Sequence, residues 1–476
     1  MRFQAPGHFR SAADFAVHLR AIDAGWQIDE DVPANGALAN AIEVHGRVLG
    51  NRFACHPMEG WDGTFDGGAT DLTLRRWTNF GRSGAALVWG GEAFAVQRDG
   101  RANERQLYLG PNVAAGETMT RLLTALRAGS AEAGLKPGDQ FVGLQLTHSG
   151  RFSRPDKQPA PLVAHRHPQL AIKYPYTADA HLLSDLELEG IGDHYIQAAK
   201  HAQDAGFDFV DVKACHGYLL HELLGARGRD GSYGGDFAGR IRLFERIVKG
   251  IRSECPGLHI GVRLSLADSV PFEKDRDTGL GRGMHCELPY LHGFGADETD
   301  PTRFDLSEPL RLLKRFEELG IELVNVTLGS PYYNPHIQRP AAYPPSDGYQ
   351  PPADPLHYVK AHLDAVRAAK QSSPNLKFVG TAYTYLQEWL ANVGQHEVRK
   401  GHVDFVGIGR MLLSYPELPR DVIAGHRVER KRICRTFSDC TTGPRNGMVS
   451  GCFPLDPFYK EMPEAKQVKA LRTGKS

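Results

Sequence analysis

Along the chain, short apolar and β-branched runs alternate with longer amphipathic stretches. The runs Arg52–Met58, Ala85–Glu92, Phe141–Thr147, Phe207–Lys213, His259–Ser265, Ile321–Leu328, Lys377–Thr381 and Asp404–Gly409 read as strands. Between them, Asp71–Gly81, Glu117–Ala133, Gly190–Ala205, Asp236–Ser253, Ser307–Glu318, Pro355–Lys370 and Tyr385–Arg399 read as helices. Apolar residues recur there at three- and four-residue spacing, as in Ile241, Phe244, Ile247, Val248 and Ile251. Eight such alternations predict an α/β fold, a (β/α)8 TIM barrel over residues 41–425, with a doubly wound sheet as the alternative. Residues 1–40 read as a leading helix and connector, and residues 426–476 as a C-terminal extension. The runs Val270–Asp305 and Ser330–Asp354 are too long for minimal connections. Both follow strands, which places them on the barrel face where active sites are built.

Side chains along a strand alternate between its two faces. In Phe207–Lys213 that sets Val210 and Val212 against Phe209, Asp211 and Lys213; in Phe141–Thr147 it sets Val142, Leu144 and Leu146 against Gly143, Gln145 and Thr147. Likewise Ile260, Val262 and Leu264 oppose Gly261, Arg263 and Ser265, and Val324 and Val326 oppose Asn325 and Thr327. The apolar faces must cover the surrounding helices. Gln145, Lys213, Arg263 and Asn325 are therefore expected to point inward and converge, a ring of donors suited to a flat, polar, electron-rich ligand. A plain hydrogen-bonded polar layer, with Lys213 paired to Asp211, is the bland alternative, although buried ionic groups are costly unless something uses them. The last strand ends in Gly407-Ile408-Gly409-Arg410 and the seventh in Val379-Gly380-Thr381, glycines placed where barrels commonly bind phosphate.

Composition narrows the field. With 56 Lys+Arg against 56 Asp+Glu over 476 residues, the chain lacks the basic footprint of a nucleic-acid or membrane-surface binder. A hydrophobic share of 41% and a charged share of 24% describe an ordinary globular protein. No apolar run is long enough for a membrane helix, the first residues lack a secretory apolar region, and seven scattered cysteines do not form a disulfide framework. The expectation is a cytoplasmic enzyme acting on a small molecule, with self-association left open.

Five motifs in register resemble the Old Yellow Enzyme family, the FMN-dependent ene-reductases and their 2,4-dienoyl-CoA reductase relatives. They are Asn51-Arg52-Phe53 leading to Pro57-Met58; Gln145-Leu146-Thr147-His148-Ser149-Gly150-Arg151; His216-Gly217-Tyr218 followed by Tyr233-Gly234-Gly235; Gly261-Val262-Arg263; and Gly409-Arg410. The resemblance implies a non-covalent FMN, touched by Pro57, Met58, Glu59 and Ala93, with Gln145 on its pyrimidine edge and Arg263 near N1. Gly380, Gly409 and Arg410 would hold its phosphate. NADH or NADPH would donate hydride, and an alkene conjugated to a carbonyl would receive it. His216 and Lys213 would polarise the carbonyl and Tyr218 would supply the proton.

Several features depart from the family pattern. Lys213 stands where relatives usually have histidine, which suggests an anionic or strongly enolising substrate, or simply a salt bridge to Asp211. Glu59 stands where they carry threonine or cysteine near flavin O4, either tuning the flavin or turned away from it. Cys434, Cys440 and Cys452 supply three thiols where larger relatives bind an iron–sulfur cluster on four, so no metal is expected and the tail reads as a cluster-less remnant packed on the barrel. No second nucleotide domain is expected, since Gly279-Leu280-Gly281-Arg282-Gly283 lacks the required spacing. Alternatives are an FMN dehydrogenase oxidising an amine or ring C–H, a Schiff-base lyase using Lys213, and a flavin sensor without turnover.

Overall fold

Parallel register closes the eight predicted runs into a ring. The computed structural model describes residues 3–110, 114–345 and 348–473; residues 1, 2 and 474–476 of the two terminal segments lie outside them. The strands are β1 (Phe53–Cys55), β2 (Leu87–Val88), β3 (Phe141–Thr147), β4 (Phe209–Val212), β5 (His259–Ala267), β6 (Leu323–Leu328), β7 (Lys377–Gly380) and β8 (Phe405–Ile408). Each pairs in parallel with its neighbours in chain order, and β8 returns to β1, so the sheet is a closed barrel and the doubly wound alternative is excluded. A short strand, Ala93–Ala95, adds to the end of β3.

The intervening helices are α1 (Asp71–Arg82), α2 (Ala115–Glu132), α3 (Asp185–Ala205), α4 (Phe237–Glu254), α5 (Ser307–Glu318), α6 (Pro355–Ser372), α7 (Leu390–Arg399) and α8 (Leu418–Ile423). Side-chain caps mark where several begin: Thr70 before α1, Ser184 before α3, Asp236 before α4 and Asp354 before α6. The predicted helix Tyr385–Arg399 becomes regular only at Leu390. Upstream, Gln387 has φ +54, and its side-chain oxygen accepts from Gly7 N (3.1 Å) and Arg435 Nη1 (2.8 Å). Those contacts hold the backbone out of the helix its periodicity suggests.

Alternation along the strands sorts the core. Val142, Leu144, Leu146, Val210, Val212 and Val262 join the large cluster between sheet and helices. Inside, an apolar plug holds Trp89, Phe141, Phe209 and Leu323 together with Ile42, Val44 and Leu49 from a hairpin beneath the barrel. Phe141 stacks on Phe209 at 5.4 Å between centroids. The plug fills one end of the interior, and polar inward residues occupy the other.

Candidate active site

Register decides which polar residues become neighbours. Gln145 of β3 lies beside Asp211 of β4, and Arg263 of β5 beside Asn325 of β6. Asp211, fully buried, accepts from Trp89 Nε1 (2.7 Å), Gln145 Nε2 (2.6 Å) and Arg263 N (2.6 Å). Its oxygens are thus taken up in orienting the inward ring, and it forms no salt bridge with Lys213. Burial pushes its carboxyl up to about 6, against the pull of these three donors.

After β4 the chain turns through Ala214–Tyr218 with His216 at φ +67 and Gly217 at φ +77. Left-handed backbone strains histidine, and two hydroxyls hold it there: Ser265 Oγ accepts from His216 N (3.0 Å), and Ser330 Oγ donates to His216 O (2.8 Å). At Gly217 a Cβ would lie 2.7 Å from the Tyr333 ring, so glycine is required there on both counts. The turn presents Lys213, His216 and Tyr218 to one cavity of about 780 Å³, a volume typical of ligand pockets.

Each of the three has a distinct environment. Lys213 Nζ sits 3.9 Å from the centroid of the Tyr218 ring, and burial lowers its pKa. The Gln338 amide donates to His216 Nε2 (3.1 Å), and burial holds the ring well below its ordinary pKa, so it is neutral with its proton on Nδ1. The Tyr218 hydroxyl donates to Glu59 Oε2 (2.6 Å) and bonds the Tyr332 hydroxyl (2.8 Å). Burial, then Glu59 and Tyr332, raise its pKa well above 10.

Of the residues expected to hold a flavin, Pro57, Met58, Glu59, Gln145, Arg263, Gly409 and Arg410 line this cavity with the three catalytic candidates. Ala93 and Gly380 do not. Ala93 is fully buried in the strand beside β3, its carbonyl taken by Gln106 Nε2 (2.7 Å); Gly380 ends β7 one residue short of the lining Thr381. Glu59 turns to Tyr218 and, through its other oxygen, to Asn103 Nδ2 (3.3 Å).

The lining tests the fit of FMN. Arg263 donates from Nη1 to Pro57 O (3.2 Å), and its Nε is buried with no partner among the described residues. Arg410 donates from Nη2 to Pro340 O (3.0 Å), and its Nη1 is likewise buried without a partner among them. Orphaned cationic donors are expensive unless an anion meets them. A Cβ at Gly409 would make only ordinary contacts, from 3.7 Å outward, leaving its backbone approachable. One cavity therefore joins a donor-rich barrel mouth to an arginine at a Gly-x-Gly turn, as a flavin and its phosphate require.

Sequence reasoning missed several walls. His56 is buried between Asn325 Nδ2 (3.0 Å) and Thr381 Oγ1 (3.2 Å), and Gly407 leaves room for its ring. Phe152 stacks on Tyr332 at 3.9 Å, and with Tyr174 and Tyr176 it brings the β3–α3 connection into the site. The C-terminal extension closes another side through Cys440, Thr441, Arg445, Ser450 and Tyr459. It is anchored by Arg75 on Asp456 (2.9 and 3.1 Å) and by Trp61 N donating to Ser450 Oγ (2.9 Å). Nine lysine and arginine side chains line the cavity against one carboxylate, Glu59; behind the wall Arg75 is paired with Asp456 (2.9 Å), and Arg76 with Asp62 (2.8 Å) and Glu92 (2.7 Å).

The sequence profile of the NADH:flavin oxidoreductase / NADH oxidase family matches residues 41–280. An NADPH dehydrogenase of Listeria innocua serovar 6a is 30% identical over 285 residues, covering 55% of this chain and 77% of that one. Among solved structures, morphinone reductase superposes with a TM-score of 0.55 at 20% identity, over 83% of this chain and 91% of its own. A 2-naphthoyl-CoA reductase in complex with 2-naphthoyl-CoA gives 0.64 at 17% identity, over 91% of this chain; the chain spans only 58% of that larger protein. At such identities the two structures speak for the barrel alone.

Proposed function

The chain is an FMN-dependent oxidoreductase of the NADH:flavin oxidoreductase / NADH oxidase family, and we propose that it reduces an alkene conjugated to a carbonyl at the expense of NAD(P)H. Arg263, Gln145, Gly409 and Arg410 hold the cofactor in this reading. Bound FMN supplies the hydride chemistry between nucleotide and substrate. The chain's own part is to bind, polarise and protonate. The neutral His216 ring and the Lys213 ammonium donate to the substrate's carbonyl oxygen, where negative charge develops. Tyr218 gives its proton to the α-carbon. Its suppressed acidity keeps the phenol protonated at neutral pH, and that supports a proton donor more than a base.

The observation that carries the reading is the convergence of Lys213, His216 and Tyr218 on the cavity that the cofactor residues line. The Schiff-base reading of Lys213 yields to the family assignment. The buried Lys213 ammonium and the Arg154 guanidinium of the lining support an anionic substrate. Anaerobic stopped-flow tests the assignment. Tyr218→Phe should leave flavin bleaching by NAD(P)H within about threefold of wild type, while reoxidation by an α,β-unsaturated ketone slows by about 10²–10⁴. An unchanged reoxidation rate would remove Tyr218 from the chemistry.

A further inference from the structure

A buried phenol that gives up a proton must regain it. Tyr218 is 3% exposed, and its hydroxyl touches two groups, the Glu59 carboxylate at 2.6 Å and the Tyr332 hydroxyl at 2.8 Å. Tyr332 is a poor source, because burial and the same carboxylate suppress its acidity too. Glu59 is half-buried, lies on the cavity wall and is the one carboxylate in the lining, so it exchanges protons with water where Tyr218 does not. In the hydrogen bond of the structure the phenol proton points at Glu59.

Resting on the reading of Tyr218 as the acid, we propose that Glu59 is the positioning and relay residue that loads Tyr218 with its proton. In the loaded state Glu59 is a carboxylic acid donating to the Tyr218 oxygen, which frees the phenol proton to face the substrate. In the transfer, the Tyr218 O–H bond breaks as the substrate's C–H bond forms. The Glu59 O–H bond breaks as a new Tyr218 O–H bond forms. The product is a Glu59 carboxylate bonded by neutral Tyr218, the arrangement seen here, and water then reprotonates it. No oxidant or reductant enters this step. The charged and titratable groups facing Glu59 are Lys213 over the Tyr218 ring, the phenols of Tyr218 and Tyr332, and Glu92 beneath Gly60, whose backbone N donates to Glu92 Oε1 (2.7 Å).

The test is single-turnover reoxidation of the NAD(P)H-reduced holoenzyme by an α,β-unsaturated ketone, in light water and in mixtures with heavy water, for wild type, Glu59→Gln, Glu59→Asp and Tyr218→Phe. Glu59→Gln, which has no proton to pass on, should reoxidise at least tenfold more slowly than wild type, and Glu59→Asp should recover most of the rate. In mixtures of light and heavy water, the wild-type rate should curve with deuterium fraction, as two moving protons require. The Glu59→Gln rate should be linear. A Glu59→Gln rate within twofold of wild type, or one that still curves with deuterium fraction, overturns the relay. If Tyr218→Phe reoxidises at the wild-type rate, the acid assignment fails first and the relay with it. If Tyr218→Phe is slow while Glu59→Gln keeps the wild-type rate and curvature, the relay alone fails.

Discussion

Replacing Asp211 by asparagine sets two opposed effects against each other. The carboxylate is fully buried, and lifting its pKa from an ordinary 3.8 to about 6 means that its three donors and the nearby Arg263 return less than burial takes. At about 1.4 kcal/mol per pH unit, the ionised side chain costs the fold about 3 kcal/mol at pH 7. Asparagine removes that cost and introduces another. With its carbonyl toward Trp89 and Gln145, its amide faces the Arg263 N–H donor to donor, stranding one buried donor at about 1–3 kcal/mol. We therefore expect Asp211→Asn to be between unchanged and about 2 kcal/mol more stable than wild type at pH 7.

The sign with pH follows from the raised carboxyl. Its favourable contribution is complete below pH 3.8, where both states hold the proton, and is lost as pH rises toward 6. The cost of the ionised carboxyl falls from about 3 to about 1.6 kcal/mol between pH 7 and pH 5, so the balance should shift against Asp211→Asn by about 1.3 kcal/mol. Guanidinium titration of flavin-stripped protein at the two pH values measures it. Flavin function should move the other way from stability. Without the anion the Arg263 cation is less compensated, so the reduced, anionic flavin gains on the oxidised one and the reduction potential rises, which spectroelectrochemistry reads directly. A variant that loses more than about 3 kcal/mol equally at both pH values would refute the assignment of Asp211 as a strained orienting group.

Two further outcomes test the scaffold. In α1, a Cβ at Gly81 would lie 1.9 Å from Leu126 O of α2, whereas at Gly190 of α3 it would meet nothing within 4 Å. Gly81→Ala should cost at least about 1–3 kcal/mol because backbone cannot step aside, and Gly190→Ala should gain about 0.5–1 kcal/mol; thermal melts that rank them the other way would sink the close-packing argument. At the start of α3, Ser184 N and Oγ donate to Glu187 Oε2 (2.8 and 2.7 Å), pulling that carboxyl from an ordinary 4.5 to about 2. A depressed carboxyl stabilises above its unfolded pKa, so Glu187→Gln should cost up to about 1 kcal/mol at pH 7, closing as pH falls from 4.5 toward 2; a pH-independent difference would count against the cap.

Much of this site was legible before any fold was known. Alternation along a strand is local geometry with period two, so the inward placement of Gln145, Lys213, Arg263 and Asn325 followed once the apolar faces of their strands were identified. The strand–helix rhythm carried the barrel in the same way, since each element's period reflects its own backbone. The motifs around His216-Gly217-Tyr218 and Gly409-Arg410 lie within single turns, and the fold brought them to one cavity.

Partnership was a different matter. Glu59 and Tyr218 meet across 159 residues, and neither position reveals in sequence that the carboxylate turns to the phenol. Asp211, two residues from Lys213, invited a local salt bridge, yet the closed sheet supplies Trp89, Gln145 and the Arg263 backbone as nearer donors. Ala93 and Gly380 belong to the right strands and fall outside the cavity. The tail that forms one wall, and the β3–α3 connection that brings Phe152 and Tyr174, have no periodicity from which a position could be read. A chain's local sterics fix which way each side chain faces; what it faces is set by the closure of the barrel and the docking of its loops, which no single segment encodes.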